Sequence, residues 1–128
     1  MPRVVALDYG SARCGVAVSD PTGTLATPLE PVLRPNTRKG FNRVLEAIRA
    51  HGPETVVVGL PLSLSGLDSA QTREARAFAE RLEHALDVPV ALYDERFTTA
   101  LAQQRAGSAA EDSRAAAVLL EDWLARPA

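Results

Sequence analysis

The chain has one cysteine, Cys14, and one lysine, Lys39, in 128 residues. A lone thiol excludes an internal disulfide and a zinc site built from several thiolates. Cys14 lies among small apolar residues, where a thiol packs as a small hydrophobe. Aromatic residues make up only 5% of the chain against 46% hydrophobic, so the core must be mostly Val, Leu and Ala. No run reaches the ~18 apolar residues of a membrane span, and no basic-then-apolar leader opens the chain. The expected compartment is the cytoplasm, with no membrane partner. A large excess of either charge sign is also missing. Fourteen basic residues face 16 acidic ones, for a net charge of -2. Nothing pulls the whole surface towards polyanions, so any nucleic-acid site must come from a local group of arginines.

What is present is organised around residues 4–20, VVALDYGSARCGVAVSD. Two apolar runs joined by a short Gly-bearing turn read as a β-hairpin. The first run, residues 3–8, is almost continuously apolar, as in a central strand, and ends on Asp8. The second covers residues 15–19. Residues 24–27 suit a third antiparallel strand, after which Pro28, Pro31 and Pro35 argue against further sheet. A helix over residues 38–50, capped by Asn36 or Thr37, carries the stripe Phe41, Val44, Leu45, Ile48. His51 reads as its C-cap. Residues 55–60, TVVVGL, form the clearest buried strand. A loop over 62–67 leads to a second helix opened by Asp68 or Ser69, with Gln71 placed for a capping box. His84 reads as a surface residue of that helix. Residues 88–93 form a last strand that ends on Asp94-Glu95-Arg96. Thr98 or Thr99 caps a short helix closed by Gly107. The final helix covers 111–125, with Ala116, Leu119, Leu120 and Trp123 inward. Strands separated by helices of this length predict right-handed crossovers and a parallel portion of the sheet. The fold class is therefore α/β, a mixed sheet with antiparallel hairpin strands plus parallel strands flanked by helices, in one domain over residues 1–128.

Carboxylates end two of these strands, Asp8 the first and Asp94 with Glu95 the last. In open α/β sheets, sites form beyond the carboxyl ends of the strands. A third acid, Asp112, precedes the inward positions Ala116 and Leu119 by four and seven residues, which places it towards the sheet. Three converging carboxylates repel unless a cation neutralises them, and hard oxygen donors suit Mg²⁺ or Mn²⁺. Each acid has a plainer role open to it. Asp8 suits a turn, Asp112 a helix N-terminus, and Asp94-Glu95-Arg96 an internal ion pair. Arg13 and Arg96 are candidate phosphate donors. The loop from Ser63 to Gly66 could approach a sugar-phosphate backbone, since Gly66 admits close contact. Arg34, Arg38, Lys39 and Arg43 read as a solvated helix face rather than a binding surface.

LDYGSARCGVAVSD, VVVGLPLSLSG, YDERFTT and DSRAAAVLLEDWL carry a family pattern. In that order and spacing the chain resembles the YqgF/RuvX family, ribonuclease H-like proteins described as Holliday-junction resolvases and as pre-16S rRNA nucleases. The resemblance implies a ribonuclease H-like fold and a metal-dependent acidic site. It places the family's acids on Asp8, Glu95 and Asp112, with Asp94 adjacent. The implied substrate is structured nucleic acid: pre-rRNA cut at its 5′ end, or branched DNA, by a monomer or a homodimer. The stretch after Arg105 is short and without positive charge, where many relatives carry a longer basic loop. Two other classes fit the hairpin. One is an actin-like ATP-binding half, for which 128 residues are short of the usual pair of domains. The other is a non-catalytic RNA-binding module.

Overall fold

The computed structural model describes residues 3–61, 69–94 and 111–126, apart from the side chains of Glu111 and Asp112. The hairpin is present as β1 (Val4–Tyr9) and β2 (Arg13–Ser19), paired antiparallel with Leu7 opposite Val16 and Asp8 opposite Gly15. β3 (Ala26–Pro28) and β4 (Val32–Leu33) follow, then α1 (Arg38–His51), β5 (Thr55–Leu60), α2 (Ala70–Ala85), β6 (Val90–Asp94) and α3 (Glu111–Ala125). The sheet order is β3-β2-β1-β5-β6, with β4 also on β2. β1 pairs parallel with β5, and β5 parallel with β6. The expected mixed sheet is therefore observed. Among the described residues no helix is long and apolar enough to cross a membrane.

Three local expectations need correction. Sheet continues past the prolines. Pro28 belongs to β3, and Val32–Leu33 adds β4 on the same outer side of β2. A proline is tolerated on an edge strand because no neighbour needs its missing N–H. Between the two short strands the Leu29 amide still donates to the Val16 carbonyl at 2.7 Å. The capping box of α2 pairs Ser69 with Thr72, not Gln71, because Thr72 is the third helical residue and Gln71 only the second. His51 is the last residue of α1, its ring bonding the Ala47 carbonyl at 3.0 Å, while the cap is left-handed Gly52. The start of α1 is as expected, with Thr37 accepting from the Gly40 amide. Gly40 has no alternative. A Cβ there would lie 1.8 Å from the Arg34 carbonyl oxygen, far inside contact distance.

Strand alternation sorts the core into two layers. Val5, Leu7, Tyr9, Val16, Val56 and Val58 face α1 and α2, meeting Phe41, Ile48, Phe78 and Leu82. Cys14 is fully buried in this layer, as expected of a packing thiol. Tyr9 stacks on Phe78 with ring centroids 4.7 Å apart. The opposite face is built from smaller groups. Ala6, Ala17 and Val57 meet Ala116, Leu119 and Leu120 of α3, which lies mainly across β2 and β1.

Candidate active site

Asp8 is the penultimate residue of β1, one residue short of the strand end where the sequence placed it. It follows Val4 and Ala6 on the face covered by α3, and it is half-buried. Its β2 partner is Gly15. On the other side Leu7 pairs with Val58, which brings Asp8 level with Gly59 of β5. The carboxylate thus has a residue without a side chain on each flank. The adjoining strands add no bulk to this part of the face.

α3 reaches the same end of the sheet. Ser113, in its first turn, is fully buried, and its Oγ accepts the Val16 amide at 3.3 Å. Val16 is the neighbour of Gly15, so this bond sets the helix N-terminus close to the row that holds Asp8. Towards its C-terminus Glu121 accepts the Ala26 amide at 3.2 Å, at the far end of β2. The two bonds orient α3 along the strand with its partial positive end towards the carboxylate, an arrangement that favours negative charge. Asp112 occupies the same first turn, while its side chain lies outside the described residues. Ala116 and Leu119, which placed it towards the sheet, are both buried as expected.

The last strand separates its two acids. Tyr93 pairs with Gly59 and joins the α3 layer, where it meets the Trp123 ring at 5.8 Å. Asp94 pairs with Leu60, so it belongs to the opposite face from Asp8. The structure brings Asp8 and the first turn of α3 together, and it does not bring Asp94 to them. Glu95, Arg96, Ser63 and Gly66 lie outside the described residues, as does the short helix expected between Thr98 and Gly107. Among the described residues no group of three metal-ligating side chains forms.

Arg13 opens β2 rather than occupying the hairpin turn, and it is exposed. It borders a groove of about 640 Å³ shared with Gly10, Ser11, Gln71 and Glu74. Tyr9 backs this groove from the core. Its phenol is pushed up from the ordinary value, first by burial and then by the negative charge of Glu74. It stays neutral at physiological pH. Ser113 was invisible as a tether in the sequence, because its partner is 97 residues away and a buried backbone amide leaves no pattern.

A model of the RuvX family, described as Holliday junction resolvase, matches residues 2–126. A protein of Maridesulfovibrio salexigens named "Putative pre-16S rRNA nuclease" is 38% identical over 133 residues, covering 97% of this chain and 98% of its own. One of the same name from Anaeromyxobacter sp. (strain Fw109-5) is 42% identical over 132 residues, covering 95% and 96%. Among solved structures, Thermus thermophilus RuvC in complex with a Holliday junction substrate matches with a TM-score of 0.62. It is 19% identical, with 93% of this chain and 92% of that one covered. That likeness concerns the fold, a ribonuclease H-like mixed sheet flanked by helices.

Proposed function

Because the chain belongs to the RuvX family, a family of nucleases and so of hydrolases, we propose that it is a metal-dependent nuclease of structured nucleic acid that processes the 5′ end of pre-16S rRNA. The placement of Asp8 supports this most directly. A half-buried carboxylate sits at the carboxyl end of a central strand, flanked by Gly15 and level with Gly59, under a tethered helix N-terminus. That is where an open sheet presents a site.

Asp8, Glu95 and Asp112 are the proposed ligands of Mg²⁺ or Mn²⁺. Their oxygen donors are the hard type these ions take, and the glycine flanks leave room beside Asp8. When bound, divalent ions favour deprotonation of the attacking water and stabilise the departing oxygen. Glu95 is preferred to Asp94 because Asp94 belongs to the other face of the sheet. Arg13 and Arg96 are proposed to hold substrate phosphates, with Ser63 and Gly66 seating the strand beside them. All of this lies within one domain, and a protein that matures ribosomal RNA works in the cytoplasm. The family description favours a second substrate, the four-way DNA junction. That activity calls for a homodimer cutting two strands, whereas rRNA trimming is open to a monomer.

Asp8→Asn is expected to abolish metal-dependent cleavage while the thermal melt stays that of a folded protein. Cleavage at the parent rate would remove Asp8 from the mechanism. The substrate is decided by digesting precursor 16S rRNA and a four-way junction side by side, with Mg²⁺, Mn²⁺ or chelator.

A further inference from the structure

From the structure we infer that Arg34, Arg38, Lys39 and Arg43 form a ridge that docks the phosphate backbone of nucleic acid flanking the cut site. This rests on the nuclease reading and extends it to a surface that the sequence alone presented as a solvated face.

The four cations lie within ten residues, and all four are exposed. Among the described residues none of the four side chains makes a hydrogen bond or ion pair, and the bond from Thr37 Oγ1 to Arg34 goes to its backbone carbonyl. Glu30 and Glu46 line the adjoining groove of about 680 Å³ with Arg13 and Arg43, a balanced set, and the excess of positive charge comes from Arg34, Arg38 and Lys39 beside it, while the whole chain is net negative. The ridge starts at the sheet edge near the site and runs onto α1, which covers the face opposite Asp8, so a bound strand would pass round the β4 edge. Arg34 donates its amide to the Ala12 carbonyl at 2.9 Å, and Leu33 pairs with Arg13. Arg13 in turn lies two residues along β2 from Gly15, the partner of Asp8. Two residues along the strand and two strand spacings across it make roughly 10–15 Å from Asp8 to the start of the ridge, a few nucleotides of backbone.

The fold does not explain these cations. α1 has no acidic residue in its first turn and carries Arg38 and Lys39 there, the charge sign its dipole disfavours. Arg34 holds φ of 48°, the left-handed region that residues with a Cβ avoid. Where local choices oppose local stability, a binding role is the usual compensation. A polyanion supplies it, because phosphates neutralise all four charges together. Arginine is well matched to phosphate oxygens by its planar donors.

The test measures binding rather than cleavage, on the full-length protein in chelator. The probes are a precursor 16S rRNA fragment and a four-way DNA junction, followed by fluorescence anisotropy across a salt series. The combined variant Arg34→Gln, Arg38→Gln, Lys39→Gln, Arg43→Gln is expected to bind its preferred probe at least tenfold more weakly. Its log-affinity against log-salt slope should fall by about three, as loss of several phosphate contacts requires. Its melting temperature is expected at or above the parent's. The opposite variant, Glu30→Gln with Glu46→Gln, should bind more tightly. Equal affinity and slope in parent and variant, or no binding of either probe by the parent, overturns the inference. Ridge-dependent binding without cleavage under any metal would defeat the nuclease reading and leave the ridge standing.

Discussion

The two faces of the sheet are built to different specifications. Towards α1 and α2 the strands present Val5, Leu7, Val16, Val56 and Val58, and the helices answer with Phe41, Ile48, Phe78 and Leu82. Towards α3 they present Ala6, Ala17, Val57 and two glycines, and the helix answers with Ala116, Leu119 and Leu120. The first face buries the larger side chains and holds most of the fold together. The second is thin, so α3 can lie low enough for Ser113 to reach a strand amide. Among the described residues the same face has only Gly15 and Gly59 beside Asp8 on the adjoining strands. Most of the stability and the proposed chemistry thus fall on opposite faces of the same strands.

Leu7→Ala on the thick face should produce the largest loss of stability, about 2–5 kcal/mol, since it opens a cavity in a fully buried layer. Chemical denaturation would read it, and specific activity per folded molecule should be retained. Ala17→Leu on the thin face should cost less, about 1–3 kcal/mol of overpacking. It should nevertheless suppress cleavage more than Leu7→Ala, because it lifts α3 from the sheet. Retained activity in Ala17→Leu would break the division between faces. Ser113→Ala leaves the Val16 amide without its buried partner, a loss of about 1–3 kcal/mol. It should also raise the Mn²⁺ concentration needed for half-saturation in calorimetry, which a purely structural role would not do.

The smallest effect lies off both faces, at Asp20. Hydrogen bonds from Thr22 and from the Leu25 and Thr24 amides hold its carboxyl below the ordinary carboxylate range. A depressed carboxylate contributes stability at higher pH and loses it as pH falls through its folded value. Asp20→Asn should therefore melt slightly below the parent at neutral pH, and the two melts should converge in acid.

Much of this division was legible in the sequence. The continuous run TVVVGL placed β5 in the middle of the sheet, and the stripes of α1 and α2 identified their buried sides because helical period is a repeated signal. Asp8 could be picked out because a carboxylate ending an apolar run is conspicuous. β4 was missed because prolines report a lost donor but not whether any neighbour needs it. The face that Asp94 takes required the register of β6 against β5, and a register is a relation between strands that no single stretch contains. The thin face was equally hidden. Alanines and glycines in a strand look weak until the helix they admit is in view.

The bond between Val16 and Ser113 links residues 97 positions apart, so the hairpin and the helix over it are made at different times on the ribosome. A nascent chain that has emerged only as far as β6 already carries Asp8 but has no α3 beside it. On the proposed reading, competence to cut is deferred until the helix arrives, and a prematurely terminated chain is left without the element proposed to complete its site.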